Sequence, residues 1–143
     1  LSLAGFYFNP SQASLDNVTC FLCHKSMEGW GPSDDPFDEH LVHSPNCAWA
    51  VCRCVKRKFN DNELPFSWDD EDQLPTSKRM EELRLSTFNN WWPYDKIRGW
   101  VGTSKKMAKA GFYYAPSYES KDNVVCMYCE VGLEGWESKD DPM

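Results

Sequence analysis

Four residues carry the clearest chemistry in this sequence: Cys20-x2-Cys23-x16-His40-x6-Cys47. Two cysteines on a tight turn present two thiolates one metal radius apart. A histidine on one helix and a cysteine at the start of the next complete a tetrahedron. Three thiolates and an imidazole suit zinc, and a closed set of four ligands makes the site structural rather than catalytic. His43 is the rival to His40, three residues on and on nearly the same helical face. His24 directly follows a ligand and reads as a surface residue. Cys126 and Cys129 repeat the first pair, without a following His or Cys. Cys52 and Cys54 can complete a site with them, or else are ordinary helix residues. The plainer reading of the first quartet is four reduced side chains with no metal. No Ser/His/Asp or Cys/His arrangement stands free of the quartet, which points away from an enzyme.

Composition agrees with this chemistry. Seven cysteines form an odd set, and no signal-peptide pattern opens the sequence, so clustered Cys and His read as metal ligands in a reducing compartment rather than as a disulfide scaffold. With 22 acidic and 15 basic residues the net charge is −7, which argues against direct binding of nucleic acid or of an anionic membrane. No apolar run approaches the roughly 18 residues a membrane helix needs. Aromatic residues reach 15% of the chain, with seven Trp, enough to build a packed core.

The site is embedded in an internal repeat with an offset of 106 residues. Ala4-Gly5-Phe6-Tyr7 recurs as Ala110-Gly111-Phe112-Tyr113, Asp16-Asn17-Val18 as Asp122-Asn123-Val124, and Glu28-Gly29-Trp30 as Glu134-Gly135-Trp136. Between residues 4 and 36, 18 of 33 positions are identical to their counterparts, too many for chance. The copies are cut differently. The first has the tail with His40 and Cys47 but no leading segment, and the second has a leading segment from about 79 to 109 but no tail. The expected organisation is a first module over 1–58 lacking its N-terminal part, a linker over 59–77, and a second module over 78–143 lacking its C-terminal ligand part. A chain beginning at Leu1 fits a fragment. Two prolines and the acids Asp69–Asp72 disfavour regular structure in the linker, where Phe66 and Trp68 are either a short binding motif or incidental aromatics on a solvated spacer.

The elements that position these residues follow from local signals. Short strands are expected over Asn17–Phe21 and near Met27–Trp30. Asp35-Pro36 opens a helix bearing His40, with proline at its first position and acids in its first turn. Asn46 caps a helix from Cys47 to about Lys58. In the second copy Ser77 caps a helix from Lys78 to Ser86, and Ser104 caps one from Lys105 to Ala110 that Gly111 stops. Gly111-Phe112-Tyr113-Tyr114 is aromatic enough to enter the core. The sum is a small α+β module, a short antiparallel sheet flanked by short helices. So thin a core leaves the metal as the difference between folded and unfolded.

These residues resemble the baculovirus inhibitor-of-apoptosis repeat, or BIR, family. The second copy carries Arg84-Leu-Ser-Thr-Phe88, Trp91/Trp92-Pro93 and Met107-Ala-x-Ala-Gly111-Phe112-Tyr113. Both copies carry Asp-Asn-Val-x-Cys-x2-Cys and Gly-Trp-x3-Asp-Asp-Pro, and the first adds Glu39-His40 and Pro45-x-Cys47-Ala-Trp. The match covers residues 4–51 and about 79–143. The resemblance implies tandem zinc modules, each with a three-stranded sheet, one zinc site complete and a second half present through Cys126 and Cys129. It also implies a groove beside the third strand that takes the free N-terminus of a peptide, often Ala. A carboxylate holds the ammonium group and a Trp wall takes the small first side chain. Those residues would be Trp30 and Asp34 in the first copy and Trp136 and Asp140 in the second. Asp34 has the plainer role of a helix cap, which Asp35 can serve instead, and Trp30 that of a core residue.

Within the family the first copy looks most like the survivin-like, mitotic branch, on Lys25, Glu28, Trp30, Asp34 and His43. In that branch the groove reads a histone tail beginning Ala-Arg with a phosphorylated third threonine; Lys25 and His43 would meet the phosphate, and Glu28 its surroundings. The resemblance then implies a chromosomal passenger scaffold and kinase as partners, and a nuclear, centromeric and spindle location, or a cytoplasmic one. The second copy keeps Glu134, Trp136 and Asp140 but has Val131 in place of Lys25. The alternative is an inhibitor of apoptosis that binds caspases or Ala-Val-Pro-type N-termini.

Overall fold

The computed structural model describes residues 1–54 and 71–143. Residues 59–70 of the linker expected over 59–77, with Phe66 and Trp68, and the end of the helix expected to reach Lys58 lie outside the described residues; the rest of that linker contains a 3-10 turn, Glu71–Gln73. The described residues divide into two compact units, 1–54 and 71–143.

Each unit is built on a three-stranded antiparallel sheet with short helices, an α+β arrangement. In the first, β1 (Phe6–Phe8), β2 (Val18–Cys20) and β3 (Ser26–Met27) pair in sequence order, with Phe6 opposite Cys20 and Thr19 opposite Ser26. α1 (Pro36–His43) follows, then a π-helical segment, Ala50–Cys54. In the second unit α2 (Lys78–Phe88) and α3 (Ser104–Lys109) precede β4 (Phe112–Tyr114), β5 (Val124–Cys126) and β6 (Gly132–Leu133). There Phe112 lies opposite Cys126 and Val125 opposite Gly132, the first register displaced by 106 residues.

Local chemistry sets the boundaries. Asp35 accepts the Phe37 N–H at 2.8 Å and Pro36 opens α1, so the cap of this helix is Asp35 and not Asp34. Ser77 Oγ accepts the Met80 N–H, and α2 runs two residues past Ser86 to Phe88. α3 begins one residue earlier than expected. Asp95 Oδ1 takes the Ser104 N–H at 2.8 Å, and the capping oxygen becomes that of Thr103, which accepts from Lys106 N–H. The third strand stops at Met27 rather than Trp30 because Asp16 captures the N–H groups of Gly29 and Trp30. The helix expected after Asn46 is α-helical only at 48–49 and continues as a π-helix over Ala50–Cys54. Cys47, Ala48, Ala50, Val51 and Cys52 are all buried there, more than one apolar stripe of an α-helix presents.

Gly5 (φ 93°) and Gly111 (φ 102°) occupy the left-handed region ahead of β1 and β4. At Gly5 a Cβ would come within 2.5 Å of the Trp49 ring, so both backbone and space require glycine.

Each unit has its own core. Ala4, Phe6, Val18, Cys20, Cys47 and Ala50 form the first. Phe88, Trp92, Met107, Ala108, Tyr114 and Val124 form the second, where the Phe88 ring stacks on Tyr114 at 5.5 Å and meets Trp92 edge-on at 5.4 Å. Of the adjacent Trp91 and Trp92, the second is the core residue, and its indole donates to the Gly102 carbonyl. The aromatic entry expected at Phe112–Tyr114 is present, with Tyr113 fully buried. The equivalent Tyr7 is 49% exposed, because α2 packs over β4, whereas the helix against β1 is the single 3-10 turn Ser2–Ala4.

Arg84 fastens α2 to its surroundings. It is 1% exposed; Nε donates to the Ala108 carbonyl at 2.8 Å, Nη2 to the Pro75 carbonyl at 2.9 Å and Nη1 to the Tyr128 hydroxyl at 3.2 Å. Methionine would fill much of the volume but leave these acceptors unpaired. Arg84→Met is expected to lower the unfolding free energy by about 2–4 kcal/mol, read as a lower urea midpoint with an unchanged slope.

Candidate functional site

β2 and α1 bring the four predicted ligands of the first unit together. Cys20 ends β2, and the N–H groups of Leu22 and Cys23 turn back toward its sulfur at 3.4 and 3.5 Å. His24 takes a left-handed φ of 59°, its N–H bonds the Cys20 carbonyl, and its side chain is exposed, as its surface assignment requires. α1 delivers His40, fully buried against the Phe6 ring at 4.5 Å. Its Nδ1 donates to the Ala4 carbonyl at 2.6 Å, which leaves Nε2 as the lone-pair nitrogen, 3.6 Å from Cys23 Sγ. Cys47 follows the turn after α1, with its sulfur 4.0 Å from that of Cys20.

All four donor atoms lie within 4.8 Å of one another. Zinc–ligand lengths of about 2.3 Å to sulfur and about 2.0 Å to nitrogen give tetrahedral edges of roughly 3.5–3.8 Å. The 3.6 and 4.0 Å separations lie near those edges, the three thiolates and one imidazole are the donor set zinc takes, and the Ala4 carbonyl fixes the histidine tautomer. The geometry also separates the two histidines. His43 is exposed and stands 3.3 Å from Glu39, one helical turn back. The hydrogen bond between the Cys20 and Cys47 sulfurs holds the Cys20 thiol down to about 3 against the opposing effect of burial. The same hydrogen bond, with burial, pushes the Cys47 thiol up.

Cys126 and Cys129 form the same knuckle in the second unit. The Cys126 N–H reaches the Val131 carbonyl at 2.9 Å, and Glu130 takes the left-handed φ of 65° that His24 takes in the first. The Cys129 thiol is lowered by a backbone hydrogen bond at Val131, assisted by Cys126. Among the described residues, only the first quartet gathers three or more such donors.

The second feature is a Gly-Trp turn present in both units. Asp16 Oδ2 accepts the N–H groups of Gly29 at 2.9 Å and Trp30 at 2.8 Å. Asp122 accepts from Gly135 at 3.1 Å and Trp136 at 2.9 Å. Trp30, half-buried, meets the Phe6 ring edge-on at 5.9 Å, and Trp136 meets Phe112 at 6.4 Å. One residue beyond each tryptophan the chain turns again. Asp34 Oδ2 accepts the Gly31 N–H at 2.8 Å, and Asp140 Oδ2 accepts the Glu137 N–H at 2.8 Å. Both carboxylates are exposed, as are Lys25, Glu28 and Glu134.

Asp16 and Asp122 were visible in the sequence only as repeat identities, without a role. The Trp30 N–H first, then the Ser14 hydroxyl, hold the Asp16 carboxyl below its ordinary value. Burial works the other way at Asp122, but is outweighed by donors from Gly135, Tyr94, Trp136 and Ser120, and its carboxyl is also lowered. Tyr94 donates its hydroxyl to Asp122 at 2.8 Å and is itself raised to about 12, by burial and by that bond. Beside it lies an open depression of about 440 Å³, lined by Pro93, Tyr94, residues 119–122, Glu134 and Gly135.

Comparison with known proteins agrees with the site. The model of the BIR family, described as Inhibitor of Apoptosis domain, matches residues 1–51 and 84–143. The chain is 37% identical over 148 residues to the chromosomal passenger complex protein bir1 of Schizosaccharomyces pombe. It is 34% identical over 146 residues to human baculoviral IAP repeat-containing protein 3, and 30% identical over 145 residues to the E3 ubiquitin-protein ligase XIAP of Rattus norvegicus. Each alignment covers 99% of this chain but only 14%, 20% and 27% of the relative.

Asp122 offers a direct test of the clamp. Its lowered carboxyl means that the unfolded chain binds the proton more tightly. Its contribution to stability is therefore complete above the ordinary carboxylate value and disappears as pH falls through the lower folded value. Asp122→Asn is expected to cost about 1–2 kcal/mol at pH 6, with the difference from wild type shrinking as pH is lowered through that window, measured by urea unfolding at each pH.

Proposed function

As the chain belongs to the BIR family of inhibitor-of-apoptosis domains, we propose that its two units are tandem zinc-stabilised modules that bind peptides by a free N-terminus. The first unit reads a phosphorylated histone tail, as a survivin-like subunit of a chromosomal passenger complex working at centromere and spindle. Zinc is held by Cys20, Cys23, His40 and Cys47, and Cys126 and Cys129 supply half of a second site. Bound there, zinc supplies a cross-link between the sheet and the two elements that follow it, with no position left for chemistry. This role is binding, not catalysis.

The observation that carries this reading is the Gly-Trp turn built twice. In each unit a clamped tryptophan is followed at a fixed spacing by an exposed carboxylate already anchored on a backbone N–H. Asp35 takes the cap of α1, which frees Asp34 for a ligand. An ammonium group needs such a carboxylate, and a methyl side chain needs a flat apolar wall such as Trp30 or Trp136. In the first unit the exposed Lys25 supplies positive charge for a phosphate and His43 an imidazole N–H, with Glu28 close to Lys25 in sequence. The phosphate must compete with Glu39 for His43. Identity to the fission-yeast passenger protein supports the mitotic assignment. The passenger scaffold and its kinase are the partners that follow from it.

A second reading suits the second unit. Val131, 48% exposed, stands where the first unit has Lys25, and an apolar side chain there favours Ala-Val-Pro-type N-termini or caspases over a phosphate. Relatives that are baculoviral IAP repeat proteins support this assignment.

Calorimetric titration of the zinc-loaded protein tests both. A histone-tail peptide beginning Ala-Arg and phosphorylated on its third residue is expected to bind at least about ten-fold more tightly than the unphosphorylated peptide. His43→Ala should abolish that preference, and Asp34→Ala should remove binding to the first unit. Tighter binding of Ala-Val-Pro-Ile that ignores Lys25 and His43 would overturn the histone reading. Cobalt(II) added to the metal-free protein should give the intense visible bands of a tetrahedral thiolate site, lost in Cys47→Ala.

A further inference from the structure

The two Gly-Trp turns are clamped by equivalent aspartates, but not in the same way. Asp16 is exposed. It holds both turn N–H groups on one oxygen, Oδ2, and accepts the Ser14 hydroxyl on the other at 3.0 Å. Asp122 is 8% exposed and divides the work. Oδ1 takes Gly135 N–H and the Ser120 hydroxyl; Oδ2 takes Trp136 N–H and the Tyr94 hydroxyl, the last at 2.8 Å. Ser14 and Ser120 are repeat equivalents, so the extra donor in the second unit is Tyr94, which comes from the segment between α2 and α3.

Tyr94 is held firmly. Its ring stacks on Trp100 at 3.8 Å, nearly parallel at 14°, and meets Trp92 edge-on at 5.4 Å. Trp92 is buried in the second core, and its indole is bonded to Gly102. The same segment reaches the other side of the turn. Val101 N–H donates to the Ser138 carbonyl at 3.1 Å, and Lys106 pairs with Asp141 at 3.1 Å. The stretch from Tyr94 to Lys106 therefore touches the tryptophan turn through Asp122 and the Asp140 turn through Ser138 and Asp141.

We propose that Tyr94 is a positioning residue for the peptide groove of the second unit. Its hydroxyl fixes the Asp122 carboxylate, which fixes the Gly135–Trp136 backbone and so the indole wall on which the first side chain of a peptide rests. A turn set before the ligand arrives loses less freedom on binding and binds more tightly. That this turn serves a peptide rests on the function proposed above; that Tyr94 holds the turn does not.

Tyr94→Phe removes the hydroxyl and keeps the ring stacked between Trp92 and Trp100. In the nitrogen-15-labelled, zinc-loaded protein, amide hydrogen exchange at Gly135 and Trp136 is expected to quicken about ten-fold. Gly29 and Trp30, the same turn in the first unit, and the core amides of Tyr113 and Val124 should keep their rates. Titration with an Ala-Val-Pro-Ile peptide, followed at the Trp136 indole, should show about three- to ten-fold weaker binding in the variant. Unchanged exchange at Gly135 and Trp136, or equal acceleration in the core, overturns the role of Tyr94. Quickened exchange with identical affinity overturns its service to the groove. Wild-type protein that does not bind the peptide at Trp136 overturns the groove itself, while the exchange comparison still decides whether Tyr94 holds the turn.

Discussion

One hydrogen bond, 2.6 Å from His40 Nδ1 to the Ala4 carbonyl, ties the first unit together across 36 residues. It fixes the imidazole tautomer, so that Nε2 turns toward the sulfurs of Cys20, Cys23 and Cys47. Because Ala4 immediately precedes the left-handed Gly5, the same bond sets the path by which the chain enters β1. The close approach of Trp49 to Gly5 leaves no room for a side chain at that bend. Sheet, α1 and the segment after it therefore meet at one point, and the donor cluster sits at that point. A unit with so few buried residues has little other means of fixing three elements against one another.

The tryptophan turns follow a different logic. Each depends on a carboxylate placed just before β2 or β5, reaching 13 and 14 residues forward to two backbone donors. Those donors are thereby withdrawn from the sheet, which is why β3 and β6 are two residues long. Shortening the strand makes the turn, and the turn presents the indole and the following acid. The same aspartate thus ends a strand and builds the turn proposed to bind peptides. Bracing differs between the units, since the second adds the aromatic segment around Tyr94 and Trp100 while the first relies on Ser14.

Charge placement is consistent with capture of a cationic N-terminus. The chain carries a net charge of −7, and the exposed acids at the turns include Glu28, Asp34, Glu134 and Asp140. An overall negative field favours the approach of basic peptide tails and disfavours phosphate backbones. Lys25 is a local exception, and His43 already has Glu39 beside it.

The ligand spacing, the repeat and most helix starts were legible in the sequence, because each rests on local chemistry: a knuckle between two cysteines, Asp35 before Pro36, Ser77 before a helix, glycine at a left-handed bend. The sequence also supplied Asp16 and Asp122 as matched positions, but a carboxylate that reaches 14 residues forward leaves no local signature. Tertiary structure decided what depends on contacts between distant segments. It chose His40 over His43 through Ala4, Asp35 over Asp34 as the cap, Trp92 over Trp91 for the core, and Thr103 over Ser104 because Asp95 had taken the Ser104 N–H. Spacing along a chain fixes which groups can meet; only the packing of separate elements fixes which of two neighbours turns inward.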